Sequence, residues 1–482
     1  MQSAASGGEG AREPFLRSAN GVFALSFLSL SVVWLVWWIG LYPGILSQDS
    51  LDQWAQALKF KFNNWHPYLY TLIMSGLSHL VRSPSLMGLL QIVLTAFVVS
   101  AIVRYAYVRG VKGSWVIVAV AVYALHPQFG SLSVTIWKDV LFSALLLAEA
   151  FLLYLIVSNA KDPAAEQAWW PYVVIGLIAG ASATIRVNGA VNLVLPAVLL
   201  LISAASRKRI AVLAATGLVT YAFFGVVLFN AINVQPAFLQ VDQLKLKMVG
   251  AIYRLSDPSK RLSAQERAVF EDMMPASVWR DAYTPRWSND LYFKHFLLLP
   301  QVEQLTPQNI SESRFYAEWT QAAYGAALHN PDVVLEDKVL QVGHFLGSYY
   351  HGASYLTDFK PNIGVLRQQG YPDVASVTPS TRFVGLRAFL LDVLKMSSAN
   401  WLLGGLLWAV GWVVVADIAM LVYAARKRLK ASVIFISFVL LNVVFVMAIA
   451  PASDYRYLYF AYLAVFVTPL LLAAELRDAD IG

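Results

Sequence analysis

The chain contains no cysteine, which excludes disulfides and thiolate ligands and leaves its compartment open. Charge is scarce as well. Only 13% of its 482 residues are charged, against about 25% in an average soluble domain. There is no internal repeat, Walker glycine loop, GxGxxG or HExxH pattern. A soluble nucleotide-binding domain is therefore excluded, and any reaction must draw its energy from an already activated substrate. Histidines 329, 344 and 351 are scattered and lack the spacing of metal ligands. What the sequence has in abundance is apolar residues, 58% of the total. They fall in repeated runs of about 20, the signature of a polytopic helical membrane protein. The net charge of +7 sits in short loops, so it reports orientation in a bilayer rather than nucleic-acid binding.

Spans are expected near 21–41, 85–103, 114–130, 139–158, 170–187, 190–206, 210–230, 401–424, 432–450 and 456–474. Residues 1–20 read as a cytoplasmic tail, and the first run, longer than a signal-peptide core of roughly 7–15 residues, reads as a retained signal anchor. Ten spans put both termini on one side. Arg104, Arg109, Lys112, Lys161, Arg207, Lys208, Arg209, Arg426, Lys427, Arg428 and Lys430 then share the side of Arg12 and Arg17, as the positive-inside rule requires. Residues 42–84 and 231–400 lie outside by this count, which makes 67–81 an interfacial or re-entrant helix. The expected domains are thus the tail, a membrane module over 21–230, an extracytoplasmic domain over 231–400 and a second membrane module over 401–482. Within the outer segment, 333–350 and 383–396 read as amphipathic helices able to lie on the bundle.

The segment from Tyr42 to Tyr70, YPGILSQDSLDQWAQALKFKFNNWHPYLY, combines paired carboxylates, amides, lysines, histidine and tryptophans. If the chain is helical from Ser50, Asp52 and Gln56 share a face and Asp49 sits at the positive helix end. The plainer reading is that Asp49 or Ser50 only caps the helix, Ser50 forming a capping box with Gln53. Proline biases His66 toward an extended conformation in Trp65-His66-Pro67. Basic residues in short outer segments are few. Lys138 lies in Trp137-Lys138-Asp139, Arg186 in Ile185-Arg186-Val187-Asn188-Gly189, and Arg456 beside Tyr457 in Asp454-Tyr455-Arg456-Tyr457. Cations gathered there against the usual bias suit an anionic partner; snorkelling or local ion pairing is the bland alternative.

A membrane-embedded polyprenyl-phosphate sugar fits these features and needs no nucleotide fold. A carboxylate would take the acceptor's proton, while arginine, lysine and histidine stabilise the departing phosphate. Taken in order, YPGILSQDSLDQWAQA, NWHPYLYTL, WKDVLF, IRVNG and DYRYLYF resemble the GT-C superfamily of integral membrane glycosyltransferases. They look most like bacterial members related to serotype-converting glucosyltransferases, and more distantly like aminoarabinose transferases acting on lipid A and protein O-mannosyltransferases. The resemblance covers roughly 20–230 and 400–475. It implies an all-α GT-C-like bundle of about ten transmembrane helices, with interfacial helices in the first outer loop and a mostly helical extracytoplasmic domain. It places Asp49 as the catalytic carboxylate, with Asp52 the competitor, and Asp139 at a second acidic position. His66, where relatives often carry lysine, would contact the donor phosphate with Lys138, Arg186, Arg456 and Tyr457. Gln53, Gln56, Trp65 and Tyr70 are the candidates for acceptor or sugar contacts. No metal site is assigned, although two carboxylates could hold a divalent cation through oxygen ligands. The implied partners are a polyprenyl-phosphate sugar donor, a glycan, glycolipid or protein acceptor, and the lipid bilayer. The implied location is the bacterial cytoplasmic (inner) membrane, with the site facing the periplasm or exterior.

A transporter or flippase for a related lipid is the competing reading. It would use Glu149 or Asp417, carboxylates inside expected spans, where ionisable groups are costly and therefore functional candidates.

Overall fold

The computed structural model describes residues 18–160, 168–203, 205–286, 288–347, 363–368, 370–399, 401–450 and 452–481. Arg12, Arg17, Lys161 and His351 lie outside them. Among the described residues the fold is helical throughout, with only isolated β-bridges. Six helices are long and apolar enough to cross a membrane. These are α1 (Ala19–Gly40), α4 (Ser85–Val108), α7 (Lys138–Ser158), the run Arg207–Ala231, α13 (Lys430–Ile449) and the final run Tyr455–Asp478. The count reaches eight if two bent pairs each form one span. The first pair, α5 (Gly113–Leu125) and α6 (Pro127–Ser133), breaks by 58° at His126-Pro127, because Pro127 has no N–H to continue the ladder. The second, α11 (Trp401–Trp408) and α12 (Val410–Arg426), breaks by 52°.

The two remaining expected spans are shorter. Helix α8 (Trp170–Ile185) has 16 residues, about 24 Å at 1.5 Å each and less than the roughly 30 Å of hydrocarbon in a bilayer. Its partner is a 3₁₀ turn, Val187–Leu193, leading into α9 (Leu195–Ile202). Gly176 and Gly180 let α8 approach Arg207–Ala222 closely: a Cβ on either would come within 2.6 Å of a backbone carbonyl there. That is the small-xxx-small packing of membrane helices, and it holds the tip bearing Arg186 against the bundle.

The first loop forms two short helices, α2 (Gln48–Lys59) and α3 (Tyr68–Ser78). The N-cap is Ser47, not Asp49 or Ser50, and the capping box closes on Ser50 rather than Gln53. Two tethers aim the start of α2. Ile45 and Thr135 form a parallel bridge, and Ser50 Oγ donates to the Ile136 carbonyl at 2.7 Å while Trp137 Nε1 donates to Ser47 Oγ at 2.9 Å. Asp49, in the first turn of α2, is thereby set against the start of α7.

The segment expected as one outer domain divides between two cores. Buried Tyr253, Phe270, Trp279, Tyr283, Tyr292, Phe296 and Trp319 centre an aromatic cluster of their own; Trp287 lies outside the described residues. By contrast, Phe345 of helix Pro331–Leu346 and Leu390 and Leu394 of Val384–Ser397 belong to the large core of the membrane helices. Both amphipathic helices expected from the sequence are therefore present and packed on the bundle. Residues 371–376 also grip α2, through Tyr371 Oη to the Leu51 carbonyl and Trp54 Nε1 to Ser376 Oγ, each 2.8 Å.

Candidate active site

Three pieces of backbone converge on Asp49. The first is α2 itself, with the loop running to His66; the second is the start of α7; the third is the turn 452–457 preceding the last span. One Asp49 oxygen lies 3.2 Å from Arg456 Nη2 and the other 3.8 Å from His66 Nε2. Lys138 Nζ lies 3.0 Å from His66 Nδ1. When Lys138 is protonated it donates, Nδ1 accepts and the ring proton sits on Nε2, toward Asp49. Burial, then the neighbouring Lys138, pushes the imidazole down to about 3; His66 is therefore neutral at physiological pH. Burial works against charge on Asp49 too, but the adjacent cations, Arg456 foremost, outweigh it and hold the carboxyl well below the usual carboxylate range. Asp49 is an anion that keeps a third of its side chain exposed.

Arg456 is oriented by Asp454, whose carboxylate lies 2.9 Å from its Nε as an ion pair and accepts its backbone N–H at 3.1 Å. Its guanidinium lies 4.7 Å over the Trp137 ring and 5.3 Å over Tyr457. Arg186 sits 4.6 Å over the same Tyr457 ring and is ion-paired to Asp139. Tyr457 thus separates two guanidinium groups that would otherwise repel, a favourable arrangement because each cation meets a π face. Asp139 is 2% exposed and lines neither cavity described below. Its carboxylate is paired with Arg186 behind the cavity lining rather than set beside Asp49.

Two cavities meet at Asp49. One, of about 420 Å³, carries Lys138, Arg186, Arg456 and Tyr457 on its polar side and Val187, Leu244, Val446 and Ile449 on its apolar side. Asn188 and Asn289 also line it, and Asn188 Nδ2 and Asn289 Oδ1 are buried without a hydrogen-bond partner among the described residues. The other, of about 450 Å³, is walled by Gln48, Asp52, Asn63 and an aromatic side that includes Phe238 and Tyr292. Asp49, Trp65, His66 and Phe293 line both. Trp65 reaches this place because it stacks on Tyr292 at 5.4 Å, while Gln240 Nε2 donates to the Asn64 and Trp65 carbonyls.

The expected residues therefore divide. Asp49, Asp52, Trp65, His66, Lys138, Arg186, Arg456 and Tyr457 are brought together around the cavities. Gln53, Gln56 and Tyr70 are not. Gln53 donates to Thr71 Oγ1 at 3.0 Å and ties α2 to α3. Gln56 donates to Asp52 at 2.7 Å and accepts from the Asn63 N–H at 2.9 Å. Tyr70 is fully buried, with its hydroxyl on Gln91 at 3.1 Å. All three face inward because α2 and α3 pack on each other. Asp454, Asn188, Asn289, Tyr292 and Phe293 were missed as site residues; the unbalanced Asp454 beside Arg456 was the one available signal. Among the described residues no three His, Asp or Glu side chains are grouped to hold a metal ion.

Comparison of the chain with protein-family models, curated proteins and solved structures returned no match.

Proposed function

We propose that the chain is a glycosyltransferase that moves a sugar from a polyprenyl-phosphate carrier to a hydroxyl-bearing acceptor. We place it in the bacterial cytoplasmic membrane in a GT-C-like arrangement of ten crossings, with α8 and the 187–202 segment as short spans and the site facing the exterior. The observation that carries this reading is that Asp49 borders two cavities of opposite character. The cationic one suits a phosphate whose isoprenoid tail leaves along Val187, Leu244, Val446 and Ile449, side chains that are 43–65% exposed apart from buried Val446.

In the proposed step the acceptor oxygen attacks the anomeric carbon and forms the new glycosidic bond. The bond from that carbon to the phosphate oxygen breaks, and the electron pair leaves with polyprenyl phosphate. Asp49 takes the hydroxyl proton, a contribution of typically 10²–10⁴-fold. Arg186, Arg456 and Lys138 stabilise the growing phosphate charge. Purified protein in lipid nanodiscs, incubated with a panel of polyprenyl-phosphate sugars and envelope glycans, should yield a product heavier by one sugar. Failure with every donor, alongside no binding of polyprenyl phosphate, would end the proposal.

A second reading is a transporter for such a lipid. It is favoured by Glu149 and Asp417, whose carboxyl oxygens are buried without hydrogen-bond partners among the described residues. It requires Glu149→Gln or Asp417→Asn to abolish function while Asp49→Asn spares it.

A further inference from the structure

The two cavities differ in more than charge. The one without arginine or lysine is lined wholly by the first loop (Gln48, Asp49, Asp52, Asn63, Trp65, His66) and by residues of the outer segment between 236 and 297. No membrane-spanning helix contributes to it. Its ligand therefore arrives from the aqueous side, unlike a lipid entering beside Val446 and Ile449.

Two carboxylates, Asp49 and Asp52, line this space and no lysine or arginine does; Arg456, in the other cavity, pairs with Asp49 at 3.2 Å, so Asp52 is the carboxylate without an ion pair among the described residues. The imidazole there, His66, has its Nδ1 3.0 Å from Lys138 and its Nε2 3.8 Å from Asp49. An anionic ligand would meet the Asp52 carboxylate with no cation on the cavity wall to bind it. A hydroxyl-bearing neutral ligand meets hydrogen-bond acceptors in the Asp49 and Asp52 carboxylates and amides in Gln48 and Asn63. The same cavity is lined by the rings of Phe238, Trp65, Tyr292 and Phe293, the last 44% exposed. Trp65 is braced by the Tyr292 ring at 5.4 Å and the Phe293 ring at 5.6 Å. Aromatic rings and carboxylates lining one cavity suit a molecule with an apolar C–H face and a hydroxylated edge, and a pyranose ring is such a molecule. A volume of about 450 Å³ lies within the range of small-molecule sites.

We infer that the cavity bounded by Trp65, Phe293, Asp49 and Asp52 binds an uncharged saccharide as acceptor, and rejects phosphate- or carboxylate-bearing acceptors. This rests on the glycosyltransferase reading and narrows its acceptor from glycan, glycolipid or protein to a neutral glycan presented from solution.

The test is saturation-transfer NMR on full-length protein in nanodiscs. The probes are neutral oligosaccharides of glucose, galactose, mannose and rhamnose, set against phosphorylated and uronic-acid counterparts of equal length. At least one neutral probe should bind and no acidic one should. Trp65→Ala should weaken binding about fivefold, as loss of an aromatic stack implies, and Trp65→Phe should retain it. Phe293→Ala, at an exposed side chain, gives a second variant should Trp65→Ala fail to fold. Binding of acidic probes as strongly as neutral ones, no binding of any neutral probe, or indifference to both aromatic substitutions would overturn the inference. Polyprenyl-phosphate binding is measured separately on the same samples. Loss there would sink the transferase reading and leave the saccharide result to stand alone.

Discussion

Two buried ionic networks in this molecule use the same residue types to opposite ends. In the aromatic outer core, Asp242 and Lys245 are 2.6 Å apart and essentially sealed from solvent. Trp319 Nε1 donates to Asp242, and Lys245 also reaches Tyr316 and Thr320. Nearby, Lys247 pairs with Asp337, which accepts from Tyr283 Oη at 2.5 Å. Each charge there is consumed by fixed partners, so the network can only specify the fold. Around Asp49 the cations instead line an open cavity, and their acids hold them in place from behind: Asp139 behind Arg186, Asp454 behind Arg456. Ion pairing alone does not mark a functional site. What distinguishes this one is that the paired charges keep a face toward space a ligand can enter.

Breaking each network should separate these roles. Asp49→Asn should lower turnover by about 10²–10⁴-fold, and its melting midpoint should fall less than that of Asp242→Asn because Arg456 keeps Asp454 as a partner. Asp242→Asn should do the reverse, because Lys245 is left buried and unpaired at a cost of about 3–5 kcal/mol; turnover per folded molecule stays unchanged. Arg186→Met strands Asp139 at a comparable cost. Adding Asp139→Asn should recover most of that stability but none of the affinity for polyprenyl phosphate, as read by calorimetric titration and thermal melts of the double mutant. A merely structural Arg186 would regain both.

The His66 contribution has a definite sign. Folding depresses its pKa from near 6.5 to about 3, so between those values the unfolded chain holds a proton that the folded chain does not. Stability is therefore complete above pH 6.5 and falls as pH drops through the window, by up to about 5 kcal/mol for a shift of this size. His66→Gln should flatten the fall in melting midpoint between pH 7.5 and 4. The smallest effects belong to residues that the sequence placed at the site and the fold does not. Tyr70→Phe and Gln53→Ala should each cost about 1 kcal/mol and leave the KM for donor and acceptor unchanged.

Hydropathy and the distribution of lysine and arginine made the helical membrane class legible, along with the isolation of Lys138, Arg186 and Arg456. The expected span near 114–130 contains the His126-Pro127 pair at which the helix breaks. The start of α2 was misplaced because Ser47 and Ser50 cap each other, a choice made by their contacts with Trp137 and Ile136, residues about 90 positions away. Gln53 and Tyr70 looked like site residues since they are polar neighbours of Asp49; which face of a short helix turns inward depends on its partner, here α3 and Gln91. Tyr292, Phe293 and Asn289 could not be read at all. They reach the site only through the packing of the 235–240 segment on residues 62–65, with Gln235 donating to the Phe62 carbonyl at 2.8 Å, and no local pattern announces such a contact.

The division of labour between Asp49 and the cations is tested most directly by a single-turnover experiment. Wild-type and Asp49→Asn proteins in nanodiscs are each loaded with a polyprenyl-phosphate sugar, mixed with acceptor glycan and sampled by mass spectrometry. The account predicts equal donor loading in both and sugar transfer only in the wild type. Transfer at an undiminished rate by Asp49→Asn would contradict it.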